Sequence, residues 1–185
     1  SQFDASLYSQ AVESCRADAE LGDAQAAFLL ATIYYQGLEG EADDPRGLFW
    51  DQVAAEKGHP QAAYRLALAY RLGQGVQQNP QQAFRWYMQA AQGGHSGAQR
   101  NLGAMYESGQ ATAKDLQSAY SWYQKAAQKG DAEAQLRLGT LLLEGRGVTA
   151  DRAKAQHWIR KSAQGSNHNA QLALGVMLAE IDPHD

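Results

Sequence analysis

A glycine recurs every 36 residues along most of this chain, and this repeat constrains the fold more than any other feature of the sequence. Its positions are Gly22, Gly58, Gly94 and Gly130. In each unit a small residue follows the glycine after four positions and a leucine follows after eight, beginning with Ala26 and Leu30. A spacing of four places side chains on one face of an α-helix. The first part of every unit therefore predicts a helix, called helix A.

The second part of each unit predicts another helix, called helix B. It opens at a residue that can accept hydrogen bonds from the free N–H groups of a first turn, namely Asp43, Asn79, Asp115 and Asp151. Seven residues later comes a tryptophan that we expect in the core, at Trp50, Trp86, Trp122 and Trp158. The recurring glycine then ends helix B, because glycine readily adopts the left-handed conformation found there. Neither helix buries its apolar stripe alone, so successive units must pack together.

The repeat divides the chain into four units and two flanking helices, which we interpret as one all-α domain. The units span about 22–57, 58–93, 94–129 and 130–165. A B-type helix is predicted over about 5–21 and an A-type helix over about 167–180, which stops at Asp182-Pro183. The last helix has no B partner. We therefore expect Leu172, Val176 and Met177 to be exposed unless an oligomer contact or a partner covers them.

The composition excludes several classes of protein. The 16 lysines and arginines against 20 aspartates and glutamates give a net charge of −4, so we predict no nucleic-acid partner. The single cysteine, Cys15, excludes an intramolecular disulfide and a multi-cysteine zinc site, and we interpret it as a small filler in the first helix. No apolar run reaches the roughly 18–20 residues of a membrane span.

The order of residues within a unit resembles the Sel1-like repeat, a relative of the tetratricopeptide repeat. The pattern is A-x3-L-[AG]-x2-Y-x2-G, then G-x-G-V, then Asp or Asn, then A-x2-W-Y-x-[KQ]-A-A-x2-G, and it is fullest from Ala62 to Tyr87 and from Ala134 to Trp158. The resemblance implies an α/α superhelical solenoid whose A helices line a concave face, in a bacterial scaffold or adaptor that binds other proteins. Many bacterial members are exported, so the periplasm or export is favoured over the cytoplasm. A start at Ser1 rather than methionine is compatible with a removed leader peptide.

The histidines and the acidic cluster are interpreted as structural, and no metal site is predicted. His59 and His95 share a repeat position with aspartates, which indicates a turn or a cap. The other histidines, His157, His168 and His184, have no ligand spacing. The acidic residues of the first A-to-B loop lack the order of a calcium loop, and they are Glu39, Glu41, Asp43 and Asp44.

No catalytic site and no cofactor are predicted. Gly73-Gln74-Gly75 and Gly145-Arg146-Gly147 follow a helix and lack the remaining residues of a phosphate-binding loop, so they are interpreted as turns. Some cysteine-rich relatives of the family are linked to penicillin binding or hydrolysis. This chain has no S-x-x-K and no K-T-G motif, so we expect no β-lactamase-like activity and no enzyme of another kind.

The predicted binding site is the concave face of the A helices. There we place the residues two before and five after the recurring leucine, which are seven apart and share one side of a helix. With two flanking arginines, the predicted partner-binding residues are Phe28, Tyr35, Tyr64, Arg65, Arg71, Arg100, Glu107, Leu136 and Arg137. Tyrosine and arginine are enriched at binding hot spots, and the arginines indicate a locally basic groove suited to an acidic peptide.

We therefore predict a non-catalytic interaction scaffold that binds a peptide or a partner protein in this groove. A contact between copies through the uncapped ends is a further prediction. The alternative is a module for a small molecule or a cell-wall glycan, with Phe28, Tyr35 and Tyr64 as stacking platforms. An RNA-binding helical repeat is a weaker alternative because of the acidic charge. The sequence leaves the partner, the pathway and the oligomeric state open.

Overall fold

The protein is all-α over the residues that the structure describes. A computed structural model describes residues 2–38, 42–165 and 167–179, and the side chains in these ranges except those of residues 2–8, 178 and 179. Within these ranges the chain forms ten helices, which are α1 Gln2–Glu20, α2 Ala24–Gln36, α3 Asp44–Glu56, α4 Pro60–Leu72, α5 Pro80–Gln92, α6 Ser96–Ser108, α7 Leu116–Gln128, α8 Ala132–Glu144, α9 Arg152–Gln164 and α10 His168–Ala179. Even-numbered helices are A helices and odd-numbered helices are B helices. This arrangement confirms the predicted fold class, an α/α solenoid of helix-turn-helix repeats.

Some of the residues discussed above are not among those that the structure describes. Glu39, Glu41, Asp182-Pro183 and His184 lie outside the described residues. In the part of the chain that is described, none of the helices is long and apolar enough to cross a membrane.

Helix contacts divide the chain into two compact units. The N-terminal unit, Ser1–His95, contains α1 to α5, and the C-terminal unit, Ser96–Asp185, contains α6 to α10. Within each unit the helices pack on their neighbours in the chain, most extensively in hairpins such as α2 with α3 and α8 with α9. Packing between nearest neighbours is the arrangement by which repeat proteins bury apolar stripes that no single helix can bury.

The capping residues predicted from the sequence set the helix boundaries. Each of the four predicted caps accepts a hydrogen bond from a backbone N–H group in the first turn of helix B, and these caps are Asp43, Asn79, Asp115 and Asp151. His59 caps α4 by accepting a hydrogen bond at Nδ1 from the backbone N–H of Ala62, at 3.2 Å. Gly58 ends the preceding turn with φ of 91°, a conformation that strains any other residue.

The core is built around the column that follows the tryptophans. The prediction that the tryptophans occupy the core is wrong, because all four are only half-buried. In the next column every side chain is at most 1% exposed, and its members are Asp51, Tyr87, Tyr123 and Ile159. The alanine pair Ala54-Ala55 lies three and four residues after Asp51 and shares its face, so Trp50 falls at the edge of the buried stripe.

The two terminal helices differ from the complete units. In α10, Leu172 and Val176 are 71% and 53% exposed, as predicted, but Met177 is buried, which corrects that prediction. Met177 occupies the repeat column of Met105 and Leu141, and all three side chains turn toward the packed side of an A helix. In α1, Cys15 is a free, half-buried thiol.

Candidate partner-binding site

Predicted site residues meet at two clefts, one in each unit. The N-terminal cleft has a volume of about 510 Å³ and is lined by Tyr35, Asp44, Leu48, Arg65, Leu68, Ala69, Gln74 and Gly75. The C-terminal cleft has a volume of about 360 Å³ and is lined by Arg100, Asn101, Ala104, Glu107, Ser108, Tyr123, Glu133 and Arg137. Each cleft lies between two consecutive A helices and receives side chains from the B helix that connects them. Five of the nine predicted residues therefore line a cleft.

A buried carboxylate, Asp51 on α3, lies behind the wall of the N-terminal cleft. Its side chain is 0% exposed, and its Oδ1 atom lies 3.4 Å from Nη1 of Arg65. The other oxygen, Oδ2, has no hydrogen-bond partner among the described residues. Burial raises the pKa of Asp51 to about 6 by desolvating the carboxylate, although Arg65 and the Tyr35 hydroxyl oppose this shift. The sequence analysis did not place this residue in the site.

Arg65 contacts two helices from its position on α4. Its guanidinium carbon lies 4.2 Å from the centroid of the Phe28 ring and 5.8 Å from that of Tyr35, within the range of cation–π attraction. Its Nη2 group donates a hydrogen bond to the hydroxyl of Thr32 at 3.0 Å. The guanidinium group is therefore held between α2 and α3 while it still lines the cleft.

Tyr35 reaches Asp51 because α3 has a glycine where it crosses the tyrosine ring. A Cβ atom on Gly47 would lie 2.6 Å from that ring, which is closer than side-chain packing allows. The equivalent residues of the later units are Ala83, Ala119 and Ala155. Burial and the charge of Asp51 both raise the pKa of the Tyr35 hydroxyl, so it stays protonated near Asp51. Gly47 thus makes room for the Tyr35 ring, which lies beside Asp51, the ion-pair partner of Arg65.

The C-terminal cleft holds the same side-chain types at the same repeat positions, with two of them exchanged. Glu107 occupies the position of Tyr35, Tyr123 that of Asp51 and Arg137 that of Arg65. The hydroxyl of Tyr123, which is 1% exposed, donates a hydrogen bond to Oε2 of Glu107 at 2.9 Å.

The partners within the C-terminal cleft are also different. Burial and the neighbouring Glu107 raise the pKa of Tyr123. Glu107 forms a second contact with Arg146, at 3.4 Å, and Arg137 donates from Nε to Glu133 at 3.0 Å. Here the tyrosine is buried on the B helix and the carboxylate lies on the A helix, nearer to solvent.

Two of the predicted aromatic residues stack on histidines. Phe28 stacks on His59 with ring centroids 4.3 Å apart, and Tyr64 stacks on His95 at 4.1 Å. His59 also lies 3.1 Å, through Nε2, from Oε1 of Gln25. Because Nδ1 accepts the capping hydrogen bond, this pattern requires a neutral ring with its proton on Nε2. Burial and the nearby Arg65 lower the pKa of His59, which favours that neutral form.

The predicted arginines have partners within the protein. Arg65 contacts Asp51, as described, and Arg71 donates from Nε to the hydroxyl of Tyr87 at 3.1 Å. Arg100 donates from Nε to Oδ2 of Asp131, also at 3.1 Å. The remaining predicted residue, Leu136 on α8, is half-buried. Since carboxylates neutralise Arg65, Arg100 and Arg137, these arginines do not by themselves make a basic groove.

Comparison of the repeat columns would have identified the residues that the sequence analysis missed. Asp51 stands alone among large uncharged residues in its column, and Gly47 stands alone among alanines. Two exceptions on one face of one helix indicate a local arrangement unlike that of the other units. In the described ranges, no three His, Cys, Asp or Glu side chains form a group that could hold a metal ion.

The Sel1 repeat model matches residues 24–59, 60–95, 96–131 and 132–167, and the chain belongs to the Sel1 repeat family. Proteins with this repeat commonly serve as protein-interaction scaffolds. No curated protein sequence matches the chain.

Several solved structures are similar to this chain. A protective antigen of uropathogenic Escherichia coli with an SLR fold is 37% identical with a TM-score of 0.83, over 91% of this chain and 36% of that protein. A Sel1 repeat protein from Oxalobacter formigenes is 34% identical with a TM-score of 0.78, over 92% of this chain and 69% of that one. Cysteine-rich protein B of Helicobacter pylori shares the fold at 24% identity and a TM-score of 0.57, over 73% of this chain and 100% of that one. The chain thus spans about a third of the length of the Escherichia coli antigen.

Proposed function

We propose that this protein is a non-catalytic interaction scaffold and that the N-terminal cleft binds a segment of a partner polypeptide. The observation that carries this proposal is the lining of that cleft. Leu48, Leu68 and Ala69 offer an apolar floor, while the Arg65 guanidinium can donate hydrogen bonds to a peptide backbone or side chain. A cleft of about 510 Å³ accommodates a few residues of an extended chain.

The exposure and protonation of the titratable groups near the clefts support a binding role rather than catalysis. Burial raises the pKa of Asp51, but its side chain is 0% exposed and a substrate in the cleft would not touch it. The Tyr123 hydroxyl donates a hydrogen bond to Glu107, and its raised pKa keeps it protonated near neutral pH, so it is not present as a phenolate base. A catalytic acid or base must reach the proton that it transfers.

A glycan or small-molecule site receives less support from the aromatic residues. Phe28 and Tyr64 are already stacked on His59 and His95, and Arg65 lies over the Phe28 ring. A sugar would have to displace these contacts to use the rings as platforms. Thermal-shift measurements with cell-wall glycan fragments test this alternative, because a ligand that binds only the folded chain raises its Tm as the ligand concentration rises.

Contact between copies through α10 is a separate proposal, supported by the exposure of Leu172 and Val176. Such a contact would bury both side chains. Sedimentation velocity on the chain and on a Leu172→Gln, Val176→Gln variant tests it, and a concentration-dependent dimer that the variant loses is the supporting result. A monomer at high micromolar concentration contradicts it.

Peptide display on the immobilised chain, followed by calorimetry, tests the scaffold proposal. Gln74 is exposed at the mouth of the N-terminal cleft, so Gln74→Trp should obstruct the cleft without disturbing the core. Gln110 is the equivalent exposed residue one repeat later and does not line the C-terminal cleft, so Gln110→Trp is a matched control. We expect selected peptides to bind Gln74→Trp at least tenfold more weakly and Gln110→Trp unchanged. Failure to select any binder, or equal binding to both variants, contradicts the proposal.

A further inference from the structure

We propose that Arg65 is the specificity-determining residue of the N-terminal cleft, that it binds an acidic side chain of the partner, and that proton uptake by Asp51 releases it for that purpose. The inference rests on the proposed function, since it names the chemistry of the segment that the cleft takes. It requires that Arg65 exchange an internal carboxylate for an external one.

The internal contact is weak enough to be exchanged. The distance of 3.4 Å between Nη1 of Arg65 and Oδ1 of Asp51 is long for a charge-assisted hydrogen bond, which is usually 2.7–2.9 Å. Oδ2 of Asp51 has no hydrogen-bond partner in the described part of the chain, so Arg65 and the Tyr35 hydroxyl compensate the buried charge only in part. A carboxylate held in this way binds a proton readily, and its pKa of about 6 agrees with that.

The repeats indicate that these polar side chains are not needed for folding. The last complete unit places Leu143 and Ile159 at the positions of Tyr35 and Asp51, and it forms the same helix hairpin. In the N-terminal cleft and the C-terminal cleft alike, a tyrosine, a carboxylate and an arginine occur together although two have changed places. Their recurrence beside a second cleft, together with the cost of burying the Asp51 charge in the first, points to recognition rather than packing.

Charge in the cleft defines the chemistry of the partner. Arg65 is the only lysine or arginine among the described lining residues, and its side chain is 28% exposed. Leu48, Leu68 and Ala69 would hold aliphatic neighbours of the acidic residue. Asp44, an exposed lining residue in the first turn of α3, opposes a second negative charge. A single acidic residue flanked by aliphatic ones is therefore the best match.

Several charged or titratable groups surround Asp51 and Arg65, and a test must distinguish their effects on binding. Tyr35 approaches Asp51 from α2 and Arg65 approaches it from α4, while Asp44 lies about two turns before Asp51 on α3 itself. His59 lies close to Arg65 and also takes up a proton as the pH falls, with a pKa that burial and Arg65 lower. Replacement of Asp51 alone distinguishes its proton uptake from that of His59.

The test uses the full chain and three blocked peptides, acetyl-Ala-Leu-Glu-Leu-Ala-amide and its Gln and Lys counterparts. Binding is followed by NMR at pH 7.5 and pH 5.5, with the Arg65 Nε–H signal and the Asp51 carboxyl carbon as reporters. We expect only the Glu peptide to shift the Arg65 signal. If binding raises the pKa of Asp51 by one unit, the affinity for the Glu peptide should be roughly sixfold higher at pH 5.5 than at pH 7.5, and the Asp51 titration should move upward.

Two variants complete the test. Asp51→Asn should bind the Glu peptide with equal affinity at both pH values, and Asp44→Asn should bind it more tightly than the native chain does. The inference is overturned if the Glu and Gln peptides bind equally, if the Lys peptide binds best, or if none of the peptides binds. It is also overturned if Asp51→Asn keeps the pH dependence of binding. If display-selected peptides still bind in a Gln74→Trp-sensitive way, the scaffold proposal stands and only the role of Arg65 and Asp51 is lost.

Discussion

The N-terminal and C-terminal clefts use a tyrosine, a carboxylate and an arginine in different ways. In the N-terminal cleft the carboxylate is Asp51, fully buried on the B helix, and the half-buried tyrosine comes from the A helix. In the C-terminal cleft Tyr123 takes the buried position and Glu107 lies on the A helix with two partners. A neutral hydroxyl loses much less hydration on burial than a carboxylate does. We therefore expect the N-terminal unit, which buries the carboxylate rather than the tyrosine, to be the one whose stability depends on pH.

The largest expected difference concerns the two tyrosines. Tyr123→Ala removes a fully buried ring and should reduce the free energy of unfolding by about 3–5 kcal/mol, whereas Tyr35→Ala removes a half-buried one and should cost about 1–2 kcal/mol. Urea denaturation followed by circular dichroism gives both values. Equal losses would contradict the assignment of Tyr123 as the buried anchor of its cleft.

Replacement of Asp51 tests the buried charge. The pKa of Asp51 in the folded chain, about 6, lies above its ordinary value of 3.8, so the protonated form stabilises the fold. That stabilisation is complete below pH 4 and is lost as the pH rises through 6. A shift of about two units corresponds to roughly 3 kcal/mol, and we expect Asp51→Asn to gain roughly 2 kcal/mol at pH 7.5.

Urea denaturation between pH 4 and 8 measures this effect. Near pH 4 the native chain and Asp51→Asn should have similar free energies of unfolding, and the difference should open as the pH rises. Glu107→Gln is the matched variant of the C-terminal cleft, and we expect it to change stability by less than about 1 kcal/mol because Glu107 is partly exposed. A variant Asp51→Asn that is less stable than the native chain at pH 7.5 would show that the ion pair outweighs the burial of charge.

Substitution of Gly47 examines the space that Tyr35 needs. A Cβ atom at 2.6 Å from the ring should force the tyrosine away, so Gly47→Ala is expected to cost about 1–2 kcal/mol despite the better helix propensity of alanine. The control is Ala119→Gly, the reverse change at the equivalent position, which should cost about 1 kcal/mol through propensity and lost packing. A stabilised Gly47→Ala protein would mean that Tyr35 moves aside without loss.

The smallest effect is expected at the histidine cap. The pKa of His59 is lowered, so the neutral ring stabilises the fold above pH 6.5 and this contribution is lost as the pH falls through the lowered pKa. His59→Asn keeps a capping side chain and should change stability by less than about 0.5 kcal/mol at pH 7.5. In hydrogen exchange, the first turn of α4 should open more readily in the native chain, but not in the variant, as the pH falls through the lowered pKa of His59. Equal protection in both would refute the role of the neutral ring.

The sequence predicted features that depend on spacing and missed those that depend on partners. Helix order, the caps at Asp43 and His59 and the recurring glycines follow from local backbone requirements, so a repeat reports them directly. The depth of Trp50 was misjudged because large size does not place a side chain at the centre of the buried stripe.

The candidate site required the structure because its contacts join different helices. Arg65 lines the N-terminal cleft, but its partners Asp51, Thr32 and Phe28 come from α2 and α3 and cannot be paired from the sequence. The prediction of a basic groove counted arginines without these internal partners, which the sequence did not reveal. The exceptions at Gly47 and Asp51 were visible, yet only the position of the Tyr35 ring explains why they occur together.

Side-chain hydrogen bonds between the starts of consecutive A helices affect how such a chain can evolve. Gln25 with His59, Gln61 with His95 and Glu133 with Asn167 each join residues 34 positions apart. A duplication or deletion of one whole 36-residue unit rejoins such pairs between different copies, whereas a shorter insertion inside a helix separates them. Gene duplication can therefore lengthen or shorten this protein in whole units while selection alters the cleft residues of each copy independently.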